Sequence, residues 1–269
     1  MTLFSDLFAY EFMRNAFAAG TIAAIVAAIV GYFVVLRGQT FAGHALSHIG
    51  FAGAAGAGLV GILPATGQLL LSLLASIGMG SLGEKAAKSD IAIGITLAFS
   101  LGLGVLFLYF YTNYAGHATV ILFGDLFGVS TKTIQSMLIY SLISLLGVAL
   151  LGKRLLFASL EPELAQAKGI SLRFLSIWFF MLVSIAVTEA SQVVGILLVF
   201  TLLIGPPASA LSCTRKFWKG LGLSVLIGVI MVWLGIILSY ITNWPVSFWI
   251  SALVLVGYLG FKNLSMFWS

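Results

Sequence analysis

The chain has 269 residues, 61% of them hydrophobic and only 8% charged, with 13 Lys and Arg against 8 Asp and Glu for a net charge of +5. A soluble domain carries roughly 25% charged residues, so a large soluble domain is excluded, and a mean hydropathy of +1.15 points to hydrocarbon as the solvent. The single cysteine, Cys213, excludes an intrachain disulfide and any metal site built on several thiolates.

Stretches of about 20 apolar residues, enough to cross a hydrocarbon core of about 30 Å, recur along the whole chain. In order they predict spans at 16–36, 43–62, 65–82, 91–111, 132–151, 171–190, 193–212, 220–241 and 245–261. The expected fold is all-α, a polytopic transmembrane helical bundle of eight or nine spans, with residues 1–269 forming one membrane domain. The first span follows Asp6 and Glu11 with no basic segment ahead of it, so it reads as a retained membrane helix and not as a signal peptide. Its Gly20, Ala24 and Ala28 present a small face, as do Gly50, Gly53, Gly56, Ala57, Gly58 and Gly61 in the second. Small faces let helix backbones approach closely in lipid, and packing within the chain is their expected use ahead of a dimer contact. The same glycines allow the second and third spans to be broken or re-entrant.

The second span also carries His44-Ala45-Leu46-Ser47-His48. Histidines at i and i+4 share one helix face, so both imidazoles can converge on one ion. Imidazole suits zinc, copper, iron and nickel, and suits magnesium and calcium poorly. The other reading is that each histidine bonds to a neighbouring helix. The Glu that would serve as general base in a zinc protease helix is absent, which argues against a metalloenzyme.

Two nucleotide-binding patterns are coincidental. Gly147 to Lys153 is followed by Arg154 where Ser or Thr is required, and Gly78, Gly80 and Gly83 lie in an apolar span with no strand before them. Asp125 and Glu189 interrupt or border apolar stretches, where carboxylates are costly and face a bundle interior or a water-filled path. Either attracts a cation there or is an interfacial carboxylate solvated by water. His117 reads as a solvated loop residue.

The polar stretch 152–173 holds Glu161-Pro162-Glu163-Leu164-Ala165-Gln166-Ala167-Lys168-Gly169. Pro in the first turn, acids at the N-terminal end, Lys at the C-terminal end and Gly beyond it specify a short helix. At about two turns it is too short to stand alone in water and calls for a partner. Further on, Pro206 and Pro207 remove two backbone donors and predict a kink in the seventh span, as packing shape or as hinge.

If 152–173 is cytoplasmic, alternation places Arg37, Lys85, Lys88, Lys153, Arg154, Lys168, Arg173, Arg215, Lys216, Lys219 and Lys262 on that side and only Arg14 and Lys132 on the other. The positive-inside rule then puts the C-terminus in the cytoplasm and the N-terminus outside. The positive charge is a topology signal and not a nucleic-acid patch.

The ordered set Gly43 to His48, Leu122-Phe123-Gly124-Asp125-Leu126, Glu161 to Ile170, and Val194 to Val199 running into Pro206 resembles the zinc/manganese/iron permeases of bacterial ABC importers (ZnuB-like) across roughly residues 35–260. The resemblance implies a BtuC-like importer permease in the bacterial inner membrane. It implies a homodimer in membrane lipid, two cytoplasmic ATP-binding subunits, and an extracytoplasmic metal-binding protein that delivers the cargo. It further implies that Glu161, Pro162, Glu163, Leu164, Ala165 and Gly169 form a helix coupling the permease to the ATPase. His44 and His48 would lie on the metal path, with Asp125 and Glu189 as further candidates, and the chain would move Zn2+, or Mn2+ or Fe2+, holding no permanent cofactor. The family more usually carries Asp where this chain has His44, a change from oxygen to nitrogen that tilts the choice toward zinc. The family's Pro-Ala is Pro206-Pro207 here. The competing function is a stand-alone secondary transporter or channel with His44, His48, Asp125 and Glu189 along one ion path.

Overall fold

The apolar windows fold as helices throughout. The computed structural model describes residues 9–81, 90–111 and 121–266, so Lys85, Lys88 and His117 lie outside the described residues. In chain order the helices are α1 (Glu11–Leu36), α2 (Thr40–Leu59), α3 (Pro64–Ser81), α4 (Asp90–Tyr109), α5 (Thr131–Leu160), α6 (Pro162–Ala167), α7 (Leu172–Val194), α8 (Val199–Cys213), α9 (Phe217–Thr242) and α10 (Val246–Met266). Ser130 opens α5 by accepting the Thr133 N–H at 3.2 Å, and Ser171 opens α7 by accepting that of Phe174 at 3.4 Å. Six of these helices, α1, α4, α5, α7, α9 and α10, are long and apolar enough to cross a membrane. Helices α2 and α3 are less apolar, and α8 is shorter.

Contacts sort the helix ends into two groups. At one end Arg37 donates to Ser176 at 3.3 Å, Phe33 meets Phe217 at 5.7 Å between ring centres, and Gly80 lies against the backbone of Ile177. At the other, Phe12 meets Phe127 at 6.0 Å, and Asn15 donates to the Val129 carbonyl at 3.3 Å. Arg37, Lys153, Arg154, Lys168, Arg173, Arg215, Lys216, Lys219 and Lys262 belong to the first end; among the described residues only Arg14 and Lys132 belong to the second.

Helices α1 and α7 form the centre, with α5 and α9 packed outside them and exposed side chains concentrated on α4, α5 and α10. The small faces are used within the chain. Gly20 of α1 admits Val232 of α9, and Gly53 of α2 and Gly67 of α3 meet so closely that a methyl on either would strike the other's carbonyl. Between α3 and α7 the fastening is polar: Ser76 and Ser184 hydroxyls share a bond of 2.7 Å, Ser184 also reaches the Ser72 carbonyl at 3.0 Å, and Ser191 donates to Gln68 at 2.9 Å. In lipid such bonds hold helices together where hydrophobic exclusion cannot.

Three local expectations change. The second and third spans are not broken: α2 and α3 run as continuous helices over their described lengths, with Gly53 packed on Gly67 where they meet. The polar stretch 152–173 is mostly helical, since α5 runs on through Lys153 and Arg154 to Leu160. The prolines do not interrupt α8. Pro207 has no N–H to give the Leu203 carbonyl, and Gly31 of α1 packs directly on that freed oxygen. The interruption lies upstream, at Gly195 to Leu198, between α7 and α8.

Candidate functional site

The α7–α8 break is fixed by a second segment. Gly195 stands at φ 77° and ψ 163°, a conformation essentially confined to glycine. The chain beyond it pairs with residues 121–122, the Ile196 N–H donating to the Ile121 carbonyl at 3.3 Å and the Leu197 N–H to that of Leu122 at 3.1 Å. Gly124, at φ 74°, lies against Gly195 as well. Backbone that leaves the helix at membrane depth must find its hydrogen bonds in protein, and here it does.

That break sets where α8 begins, and the first turn of α8 places Phe200 on the His44 ring at 4.8 Å. His44 and His48 are edge to face at 4.5 Å and 82° on the same side of α2. His48 is 7% exposed, and the Nδ1 atoms of both rings are buried without a hydrogen-bond partner. The i, i+4 spacing therefore delivers two imidazoles side by side with nitrogen lone pairs or protons uncommitted, half of a tetrahedral shell. Among the described residues no three His, Cys, Asp or Glu side chains converge.

The two carboxylates stand elsewhere. Asp125 is exposed in the 121–130 segment, where Oδ1 accepts the Gly128 N–H at 3.0 Å and shapes a turn. It borders a cavity of about 620 Å³ between α3, α5 and α7, lined by Gln68, Lys132, Ser136, Tyr140, Ser191 and Gln192 among others. Glu189 is 0% exposed on α7 and accepts a bond from Ser141 of α5 at 2.5 Å. The structure brings His44 to His48 and leaves Asp125 and Glu189 in separate surroundings.

At the basic end α6 has the expected punctuation. Pro162 sits in its first turn, and Gly169 closes it at φ 78°, with the Ile170 N–H returning to the Ala165 carbonyl at 3.0 Å. Lys168 lies over the Phe157 ring at 5.1 Å. Glu161, Glu163 and Leu164 are exposed, Leu164 at 54%, whereas Ala165 is 0% exposed against its own chain. Ala165 thus anchors α6 and presents no surface to a partner, in contrast to its place in the predicted coupling set.

Sequence reasoning passed over Phe200, Ser141 and the pairing of residues 121–124 with 195–197. The repeated glycines, Gly124 and Gly195, were the available signal for the pairing; nothing in the apolar run around Phe200 marks it.

A polytopic helical membrane protein with a short capped helix at its basic end and a broken helix at its centre has the build of a transporter subunit. Residues 9–261 match the ABC 3 transport family, and the chain belongs to it. It is 31% identical over 244 residues, 90% of this chain and 87% of the relative, to the manganese transport system membrane protein MntC of Listeria monocytogenes. It is also 31% identical over 242 residues, 89% of this chain and 80% of the relative, to the chelated iron transport system membrane protein YfeD of Yersinia pestis. Among solved structures it is similar to PsaBC from Streptococcus pneumoniae in complex with Fab, with a TM-score of 0.86 and 28% identity over 96% of this chain and 93% of that one. The chain is therefore a membrane permease subunit and not an enzyme.

Proposed function

We propose that this chain is the permease of an ATP-driven importer that moves a divalent transition metal across the bacterial inner membrane, with zinc favoured over manganese and iron. The observation that carries the metal is the His44–His48 pair, two adjacent imidazoles whose buried Nδ1 atoms have no protein partner. Manganese and iron in the relatives' names support a metal cargo, and nitrogen at position 44 supports zinc within that class. The remaining ligands come from water or a second copy of the chain. An open shell is what a transporter needs, because an ion in a closed cage leaves too slowly.

In this reading the protein works as a homodimer with nine crossings per copy, α8 completed by the Gly195–Leu198 segment. The basic end and the C-terminus face the cytoplasm. There α6 meets the ATP-binding subunit through Glu161, Glu163 and Leu164, while the Asp125 end receives metal from an extracytoplasmic binding protein. Family membership argues against the stand-alone transporter, and the separation of the histidine pair from Asp125 and Glu189 gives it no single ion path.

The test is uptake of Zn2+ and Mn2+ into vesicles holding the complete complex. His44→Ala and His48→Ala each abolish most uptake while the protein stays folded, and His44→Asp keeps partial transport with preference moved toward Mn2+. Parental zinc transport by both alanine variants removes the histidines from the path.

A further inference from the structure

Glu189 is a group in this fold whose burial nothing among the described residues balances. It lies fully inside the bundle, and no Lys, Arg or His among the described residues forms an ion pair with it. Its Oε1 has one donor, the Ser141 hydroxyl, and that single proton is shared with the Met137 carbonyl at 2.8 Å. Its Oε2 has no partner. A carboxylate in such surroundings needs compensation, since burying an unpaired charge is far costlier than any one hydrogen bond returns.

The α5–α7 register shows what stands beside it. Ser141 bonds to Glu189 and Gly147 packs on Leu182, so these helices run antiparallel and Ser144 falls level with residues 185–186. Helical side chains slope toward their own N-terminus, which carries the Glu189 carboxyl toward that level. Ser144 is fully buried, and its hydroxyl also has no partner. Ser141 thus bonds the carboxylate directly, and Ser144, one turn further along α5, is buried near its level, with unpartnered oxygens on both helices.

An approach exists as well. The 620 Å³ cavity opens at the Asp125 end, and its lining includes Tyr140, next to Ser141, and Gln192, one turn beyond Glu189 on α7. The Nε2 atoms of Gln192 and of Gln68, which is 4% exposed, are buried there without partners. A largely apolar vestibule carrying the Gln68 and Gln192 amides therefore reaches to within one helical turn of Glu189. It descends between α3, α5 and α7, apart from the α2–α8 contact that holds the histidines.

We propose that Glu189, Ser141 and Ser144 form an oxygen-lined site for a monovalent hard cation of the Na+ type, entered from the Asp125 end. One carboxylate matches one positive charge, and carboxylate and hydroxyl oxygens suit a hard ion where imidazole suits a soft one. The bound ion neutralises Glu189 and ties α5 to α7. The site stands independently of the metal reading of His44 and His48.

The experiment follows thermal unfolding of the full chain in detergent while NaCl replaces N-methylglucamine chloride at constant ionic strength. The parent's midpoint rises saturably with Na+, as it must for a ligand that binds only the folded state. The rise is lost in Glu189→Gln and in Ser141→Ala/Ser144→Ala, and kept in His44→Ala/His48→Ala. A parent indifferent to Na+, a rise that survives in Glu189→Gln, or one that disappears with the histidines overturns the proposal. Should Glu189→Gln fail to fold, the double serine variant decides: loss of the rise supports the site, and a parental rise refutes it.

Discussion

Replacing Gly195 by alanine tests whether the pairing of two distant segments holds the α7–α8 break. The backbone angles at Gly195 are a glycine-only combination, and forcing another residue into such a region costs about 1–3 kcal/mol. The new methyl would also run into the backbone of Leu122, Phe123 and Gly124. Parting those segments breaks the two bonds from Ile196 and Leu197, each worth about 1 kcal/mol. Strain and lost bonds together come to about 3–5 kcal/mol, which at roughly 2–4 °C per kcal/mol for a chain of this size lowers the unfolding midpoint by about 6–20 °C. Gly38 is the control. It too has positive φ, at 65°, but a methyl there meets nothing within 4 Å, so Gly38→Ala pays conformational strain alone, about 1–2 kcal/mol. The assay is thermal unfolding of the parent and both variants in one detergent, with metal uptake measured beside it, since moving the start of α8 also moves Phe200 off His44. Equal midpoints for the two variants, with parental uptake in Gly195→Ala, would show that the 121–122 pairing does not position α8.

Gly31→Ala drives a methyl into the carbonyl that Pro207 leaves free, and a loss of about 1–3 kcal/mol is expected from overpacking at that crossing, read as a lower unfolding midpoint. The two inner residues of α6 should separate cleanly: Leu164→Glu, on an exposed side chain, leaves the midpoint within about 0.5 kcal/mol of the parent but loses co-purification with the ATPase, whereas Ala165→Glu buries a charge and lowers the midpoint itself. Retained co-purification of Leu164→Glu takes α6 out of the coupling contact. With Cys213 replaced, cysteine at Lys216 should resist an impermeant thiol reagent in intact cells and cysteine at Asn243 should react; the reverse pattern inverts the orientation.

The helices were legible because crossing a membrane leaves a mark in composition that no tertiary contact has to supply. Their ends were less so, because a helix need not stop where apolarity does. Helix α5 continues past Lys153 and Arg154 to Leu160, beyond the apolar window that located it. The break in the seventh span was missed for a related reason. Proline is a visible breaker, so the eye goes to Pro206 and Pro207, yet their missing N–H groups free carbonyls that a close-packed helix can accommodate. At Gly195 the neighbouring residues are as apolar as any in the span, and the unwound backbone is satisfied by residues 121–122, whose position no local pattern reveals.

The same division runs through the polar residues. His44 and His48 could be paired from their spacing because one helix carries both, and the structure adds what spacing cannot: that their Nδ1 atoms are buried and uncommitted. Glu189 could be flagged from its depth, but its partner Ser141 is on another helix, and serine in an apolar span ordinarily bonds back to its own carbonyls, as Ser141 also does. Two unsatisfied sites of different chemistry follow, nitrogen at α2 and oxygen between α5 and α7. Nitrogen favours a soft ion that must pass through, and a closed shell there would trap it. A fully buried carboxylate has the opposite requirement, since its charge has to be matched for as long as the helices stay packed. In the proposed reading, transit and retention fall to different helices, and the variants that remove one should leave the other intact.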